Sequence, residues 1–312
     1  MKHLFIVNPI AGGKDRTEYV SAKVAQTFSN REGEFEIYTT KAPLDAVSKI
    51  MTESLNCNEL RVYACGGDGT LNECVNAAVG LDNVTVTCFP NGTGNDFIKH
   101  FGEDRERFFK LEELVDGEVH PIDLIKCNER YSINICSVGI DARIGLDVHK
   151  YSHLPVVGGS AGYVISTAVH FFKGIKEHLR IVCGGRLYSG DMTLVCACNG
   201  SYYGGGFHPV PEARPDDGLL DFLIIKGVSR ATFANLVGEY AKGNYAKHPK
   251  YITHIRSTKM EITADNEIVV NVDGERADAK KIDIQVVPRA VNFIFPKNMR
   301  YFAERQAEEV TV

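Results

Sequence analysis

The sequence predicts a wound α/β domain followed by a β-sandwich-like domain, and three observations predict it. Through residue 89, short apolar strands alternate with segments of helical periodicity. Three of those strands run straight into glycine-rich turns. From Ile122 onward the pattern changes to many short strands with Gly, Asn and Asp at their ends.

In chain order the first half reads as strand 3–7, helix 15–29, strand 34–39, helix 44–55, strand 61–65, helix 70–79 and strand 84–89. Helices are read from apolar residues at helical spacing and strands from short runs such as Arg61-Val62-Tyr63-Ala64-Cys65. An acidic helical segment follows over 103–118, and Pro121 opens the β-rich half. There the strands are read over 122–127, 131–138, 179–183, 191–198, 220–225, 260–263, 268–272 and 282–287. Helical periodicity interrupts them at 142–176 and 229–241. A last strand, 290–295, and the tail after it are expected to return to the first domain. This sets the domains at 1–122 with 290–312 and at 123–289. Residues 304–312 read as a solvated, fraying end.

The most informative turn is Gly66-Gly67-Asp68-Gly69-Thr70-Leu71-Asn72-Glu73. Glycine lets the chain turn tightly and bring N–H groups close to a ligand, and the helix N-terminus that follows favours negative charge. An acid beside a phosphate repels it unless a divalent cation lies between them or the acid handles a proton, so Asp68 points to phosphoryl chemistry. The alternative is a tight strand-to-helix turn with Asp68 as its cap. Two further turns favour the first reading: Asn8-Pro9-Ile10-Ala11-Gly12-Gly13-Lys14 and Pro90-Asn91-Gly92-Thr93-Gly94-Asn95-Asp96. Three such turns would converge at the carboxyl ends of a parallel sheet, where open α/β sheets bind ligands.

Composition narrows the function classes. With 312 residues and 44% apolar content, the chain can supply two cores. A net charge of −5 argues against a nucleic-acid partner, which needs a basic surface. Nine cysteines without a CxxC pair read as buried thiols of a reducing cytosol. A strand that begins within three residues of Met1 leaves no room for a signal peptide, which places the chain in the cytoplasm. Residues 154–172 lack Asp, Glu, Lys and Arg and are long enough to span a bilayer. Pro155, several glycines and His170 favour a buried helix instead.

Two polar clusters stand out in the second half. Gly204-Gly205-Gly206-Phe207-His208-Pro209 leads into Pro211-Glu212-Ala213-Arg214-Pro215-Asp216-Asp217-Gly218-Leu219-Leu220-Asp221. This is either a surface turn or a divalent-cation site, in which Asp217 gives a carboxylate and nearby carbonyls the remaining oxygens, a set suited to Mg2+. Val272-Asp273-Gly274-Glu275 places two acids around a glycine at a strand end. It either caps a turn or, facing the phosphate loops, supplies a base for a substrate hydroxyl with a second acid to orient it.

Taken in order, Asn8-Pro9 with Gly12-Gly13-Lys14, then Gly66 through Glu73, then Gly92-Thr93-Gly94-Asn95-Asp96 resemble the catalytic domain of diacylglycerol and sphingosine lipid kinases. Asn134, Ser137, Gly139, Asp141-Ala142, Pro211-Glu212-Ala213, Asp216-Asp217-Gly218 and Asp273-Gly274-Glu275 resemble the soluble bacterial branch. The likeness covers nearly the whole chain.

The resemblance implies a phosphofructokinase-like nucleotide-binding α/β domain, a β-sandwich-like lipid-binding domain and a cleft between them. It implies that Asn8, Pro9, Gly12, Gly13, Lys14, Thr40, Gly66, Gly67, Asp68, Gly69, Thr70, Asn72, Glu73 and Thr93 bind Mg-ATP. Asp68 and Asp96 would lie near the phosphates, and Glu275 would accept the proton, supported by Asp273. Asp217, with the carbonyls of Arg214 and Leu219, would hold a structural Mg2+. Thr40 is preferred to Thr39 because the family's threonine precedes a small residue by six, as Thr40 precedes Ala46. Ile98 departs from the family, where a small residue is common after Asp96-Phe97, but no key acid is missing.

The implied activity is transfer of the γ-phosphate of ATP to a lipid hydroxyl. Diacylglycerol comes first, with phosphatidylglycerol or a sphingoid base as alternatives. NAD kinases also have Gly-Gly-Asp-Gly-Thr, but the set of three turns and the Asp-Gly-Glu turn favour a lipid acceptor. A regulator without turnover would have lost an acid at 68, 217 or 275, and none is lost. A lipid kinase must still touch a bilayer, here as a peripheral contact at the inner membrane face. Lys242, Lys247, Lys250 and Arg256 cluster with Tyr245 and Tyr251 as either a membrane-contacting patch or a solvated loop. A homodimer through the second domain is implied by the resemblance alone.

Overall fold

The computed structural model describes residues 1–140, 142–143 and 174–310. They form two compact units, Met1–Ile122 with Arg289–Val312, and Asp123–Pro288. Asp141, the apolar stretch 154–172 and most of the helical periodicity at 142–176 lie outside the described residues.

In the first unit β1 (Lys2–Val7), β2 (Glu34–Thr39), β3 (Leu60–Cys65) and β4 (Val84–Cys88) form a parallel sheet in the order β2-β1-β3-β4. β1, β3 and β4 are buried along nearly their whole length, as apolar strands covered on both faces must be. The covering helices are α1 (Thr17–Phe28), α2 (Asp45–Asn56) and α3 (Asp68–Ala78). α1 buries Val20, Val24 and Phe28, spaced four apart on one face. Each such buried side chain contributes about 1.5–3 kcal/mol. His3 is enclosed here, 2% exposed, with Nδ1 2.8 Å from the Tyr63 hydroxyl. Burial holds its pKa down at about 4.

Register decides where the turns leave the sheet. Val7 pairs with both Thr39 and Cys65, and Ala64 pairs with Cys88, so four strands end in one row. The short helix α4 (Asp96–Lys99) follows the turn after β4.

The acidic segment is less helical than its composition predicts. A 3-10 helix, Gly102–Phe109, is separated from α5 (Leu111–Val115) by Lys110 in extended conformation, which lets Phe108, Leu111 and Leu114 all turn inward. β5 (Glu118–Cys127) begins before Pro121 and contains it.

In the second unit the strands pair antiparallel. β6 (Arg130–Ser132) and β7 (Ile135–Gly139) replace the single strand expected over 131–138. They are followed by β8 (Glu177–Cys183), β9 (Arg186–Cys198) and β10 (Leu220–Lys226). After α6 (Arg230–Tyr240) come β11 (Ile252–Ser257), β12 (Lys259–Val272) and β13 (Glu275–Phe295). β9 pairs β8 with its first half and β7 and β10 with its second. β12 likewise joins the two runs read over 260–263 and 268–272, with an irregularity between Thr263 and Ile268. Successive residues supply different cores: Val195, Ala197, Phe222 and Ile224 pack in one, Cys196, Cys198, Leu223 and Ile225 in the other. A strand buried on both faces reads as an unbroken apolar run for this reason.

β13 also joins two expected strands, continuing through Pro288 to Arg289, which takes a positive φ of 53°. Its residues Asn292 and Phe293 pair in parallel with β4 in the first unit. The tail forms α7 (Arg300–Val310), so the end expected from 304 is helical as far as 310.

Candidate active site

The three glycine turns of the first unit meet at the carboxyl edge of its sheet. The Asn91 and Gly92 N–H groups donate to the Gly66 carbonyl at 2.8 and 3.1 Å, and Asn8 Nδ2 donates to Thr70 Oγ1 at 3.2 Å. Close approach explains two glycines. Gly12 has a φ of 64°, and a Cβ on it would lie 2.7 Å from the Asn91 carbonyl oxygen. Gly94 lies against the Asp68 carboxylate, where a Cβ would collide with Oδ2.

Asp68 opens α3 but does not cap it; Gly67 holds that position with no side-chain cap. Its Oδ1 instead accepts the backbone N–H of Asp96 at 2.6 Å, and Asp96 Oδ1 accepts from Lys99 Nζ at 2.6 Å. Thr40 sits at the first position past β2, where its N–H and Oγ1 both donate to the Val7 carbonyl, at 2.9 and 3.3 Å. Gly12, Gly13, Lys14, Gly69 and Thr93 are exposed on this edge, with Pro9 partly exposed. Asn72 differs: it is buried in α3 and accepts from Asn76 Nδ2 through its carbonyl at 2.8 Å and Oδ1 at 3.2 Å. Ile98 is buried beside Phe97 and lines a small pocket with Asp68, Leu71 and Cys88.

In the second unit the Asp273 turn is built around one carboxylate. Asp273 accepts the N–H groups of Ile133, Asn134 and Ile135 at 2.6, 3.1 and 2.9 Å. Ile133 and Asn134 are the residues that break the strand expected over 131–138, and Ile135 opens β7. Asn271 Oδ1 accepts the Gly274 N–H at 2.7 Å, and Asp273 itself takes a positive φ of 47°. Burial pushes the Asp273 pKa up, with the three N–H donors opposing it. Glu275 follows with its side chain exposed. The two acids therefore differ in kind: Asp273 is spent on holding the turn, and Glu275 faces solvent.

The family model for the YegS C-terminal NAD kinase beta sandwich-like domain matches residues 134–295, more than half of the chain, and that for the diacylglycerol kinase catalytic domain matches residues 2–127. The chain belongs to the diacylglycerol kinase-like lipid kinases. A Shewanella frigidimarina protein named "Probable lipid kinase YegS-like" is 29% identical over 255 residues, covering 80% of this chain and 81% of that one. A Staphylococcus aureus (strain JH9) protein with a provisional lipid kinase name is 27% identical over 75% of this chain and 76% of its own. A Bacillus anthracis structure titled as a diacylglycerol kinase shares the fold, with a TM-score of 0.70 and 23% identity over 96% of this chain and 98% of that one.

Within this lipid kinase, several contacts were not legible from motifs. Glu73 Oε1 accepts the Leu44 N–H at 3.2 Å, and Leu44 takes a left-handed φ of 66°. Lys99 was not singled out, yet it faces the Asp96 carboxylate; only its spacing of three along a helix hinted at this.

The implied Mg2+ ligands fit unequally. Asp68 and Asp96 put two carboxylates at the glycine turns, a donor type suited to a hard cation, with one oxygen of each already taken by the Asp96 N–H and by Lys99. Asp217 does not fit a resident ion: Oδ1 accepts the Leu219 N–H at 3.0 Å and Oδ2 is ion-paired with Arg256. Among the described residues no group of three or more His, Cys, Asp or Glu side chains is arranged to hold a metal. The basic segment is also depleted. Arg256 is taken up by Asp217, Lys247 lies 3.9 Å from Glu239, and Lys250 stacks over the Tyr251 ring. No helix among the described residues is long and apolar enough to cross a membrane.

Proposed function

We propose that this lipid kinase transfers the γ-phosphate of ATP to the hydroxyl of diacylglycerol, giving phosphatidic acid. The observation that carries the reading is the convergence of the Asn8, Gly66 and Asn91 turns on one sheet edge, at the N-terminus of α3. Backbone N–H groups there, with Lys14 exposed nearby, suit a polyphosphate. Mg2+ arriving with the nucleotide supplies positive charge to the phosphate oxygens.

The remaining roles belong to the chain. Asp68 braces the two glycine turns through the Asp96 N–H, and Lys99 offsets the charge of Asp96. Thr40 is fixed beside Asn8 by its two bonds to Val7. Glu275 takes the proton of the acceptor hydroxyl, and Asp273 holds the turn that presents it. The exposed Lys242, Lys247 and Lys250 draw the enzyme to the anionic inner leaflet. Vesicle binding that survives their neutralisation would remove that element.

Transfer from labelled ATP to diacylglycerol, phosphatidylglycerol, sphingosine and NAD tests the reading. Labelled phosphatidic acid is expected. Label in NAD alone would replace the lipid acceptor.

A further inference from the structure

We infer that Arg256 takes the place of a divalent cation at the Asp217 loop, so that the second unit holds this loop without bound Mg2+. Three carboxylates lie near one another there. Asp123 and Asp221 are each 1% exposed, and the Asp217 side chain is 15% exposed. So much negative charge out of water needs positive charge or N–H donors beside it. Asp123 Oδ2 accepts the Gly218 N–H at 2.6 Å. Asp221 Oδ1 lies 2.6 Å from His254 Nε2 and 3.5 Å from Arg256 Nε. Asp217 pairs with Arg256 Nη2.

One guanidinium thus spans two acids with different nitrogens, which its forked geometry allows and an ammonium would not. Register, not chance, puts it there, because Arg256 on β11 is the cross-strand partner of Asp221 on β10. Guanidinium and ion exclude each other. A Mg2+ ligated by Asp217 at about 2.1 Å would occupy the space of the Arg256 N–H groups and meet a like charge. The loop is therefore closed by the chain's own cation, whichever acceptor the enzyme uses.

Thermal unfolding of the full chain without nucleotide tests this, in saturating MgCl2 and in EDTA. The wild type is expected to melt at one temperature in both, and Arg256→Gln to melt roughly 5 °C lower in EDTA. Calorimetric titration of the wild type with Mg2+ decides the matter even if that variant fails to fold. A wild-type Tm rise or binding heat that disappears in Asp217→Asn overturns the inference, and so does an Arg256→Gln variant as stable as the parent. Binding that survives Asp217→Asn arises elsewhere and agrees with it.

Discussion

The Asp68 carboxylate accepts the backbone N–H of Asp96 at 2.6 Å, so the turns after β3 and β4 are tied by a charge-assisted hydrogen bond. Asp68→Ala removes the acceptor and is expected to cost about 1.5–3 kcal/mol of stability, with turnover down by at least roughly 100-fold. Asp68→Asn keeps an oxygen at the same place. It should recover most of the stability and little of the turnover. Recovery of both would leave Asp68 a brace and nothing more.

Asp273 gathers three N–H groups from residues 133–135, far from it in sequence. Asp273→Ala leaves those donors without their carboxylate and is expected to lower stability by about 2–4 kcal/mol. Turnover should fall as well, because the turn that presents Glu275 loosens. A variant with unchanged melting temperature would show that the three bonds hold nothing.

His3 makes stability depend on pH. Its folded pKa, about 4, lies below the ordinary value of 6.5, so between those values the unfolded chain binds the extra proton. This contribution is complete above pH 6.5 and is lost as pH falls towards 4, by an amount of the order of 3 kcal/mol. His3→Gln should flatten the decline across that window. Parallel melting curves for parent and variant from pH 7 to 4 would contradict it.

Glu73 holds the Leu44 turn that follows Thr40, so the proposed ATP site gives it a positioning role at one remove. Glu73→Ala is expected to raise the KM for ATP roughly tenfold with a smaller effect on kcat. Leu44 is exposed and pays for a left-handed backbone, so Leu44→Gly should stabilise the chain by about 1 kcal/mol. Destabilisation by Leu44→Gly in a denaturant titration would mean that the side chain matters more than its backbone.

The alternation of apolar strands and helical stretches made the first unit legible, because strands buried on both faces read as apolar runs and α1 repeats every four residues. Strand ends were harder. β11 was missed because His254 and Arg256 both face Asp221 of the neighbouring strand, which makes a strand look like a charged loop. The bend that divides β6 from β7 is set by a distant partner, Asp273. The same holds at the site. Motifs named Asp68, Asp96, Asp217 and Glu275, and helical spacing hinted at Lys99, but the partners Leu44 and Arg256 depend on packing that no local pattern carries.

The most direct test is to compare Glu275→Gln with the parent for phosphate transfer from labelled ATP to diacylglycerol, with ATP binding measured on both. The account predicts turnover down by roughly 100- to 10,000-fold with ATP affinity within about twofold of the parent. A variant that phosphorylates lipid at the parental rate would contradict it.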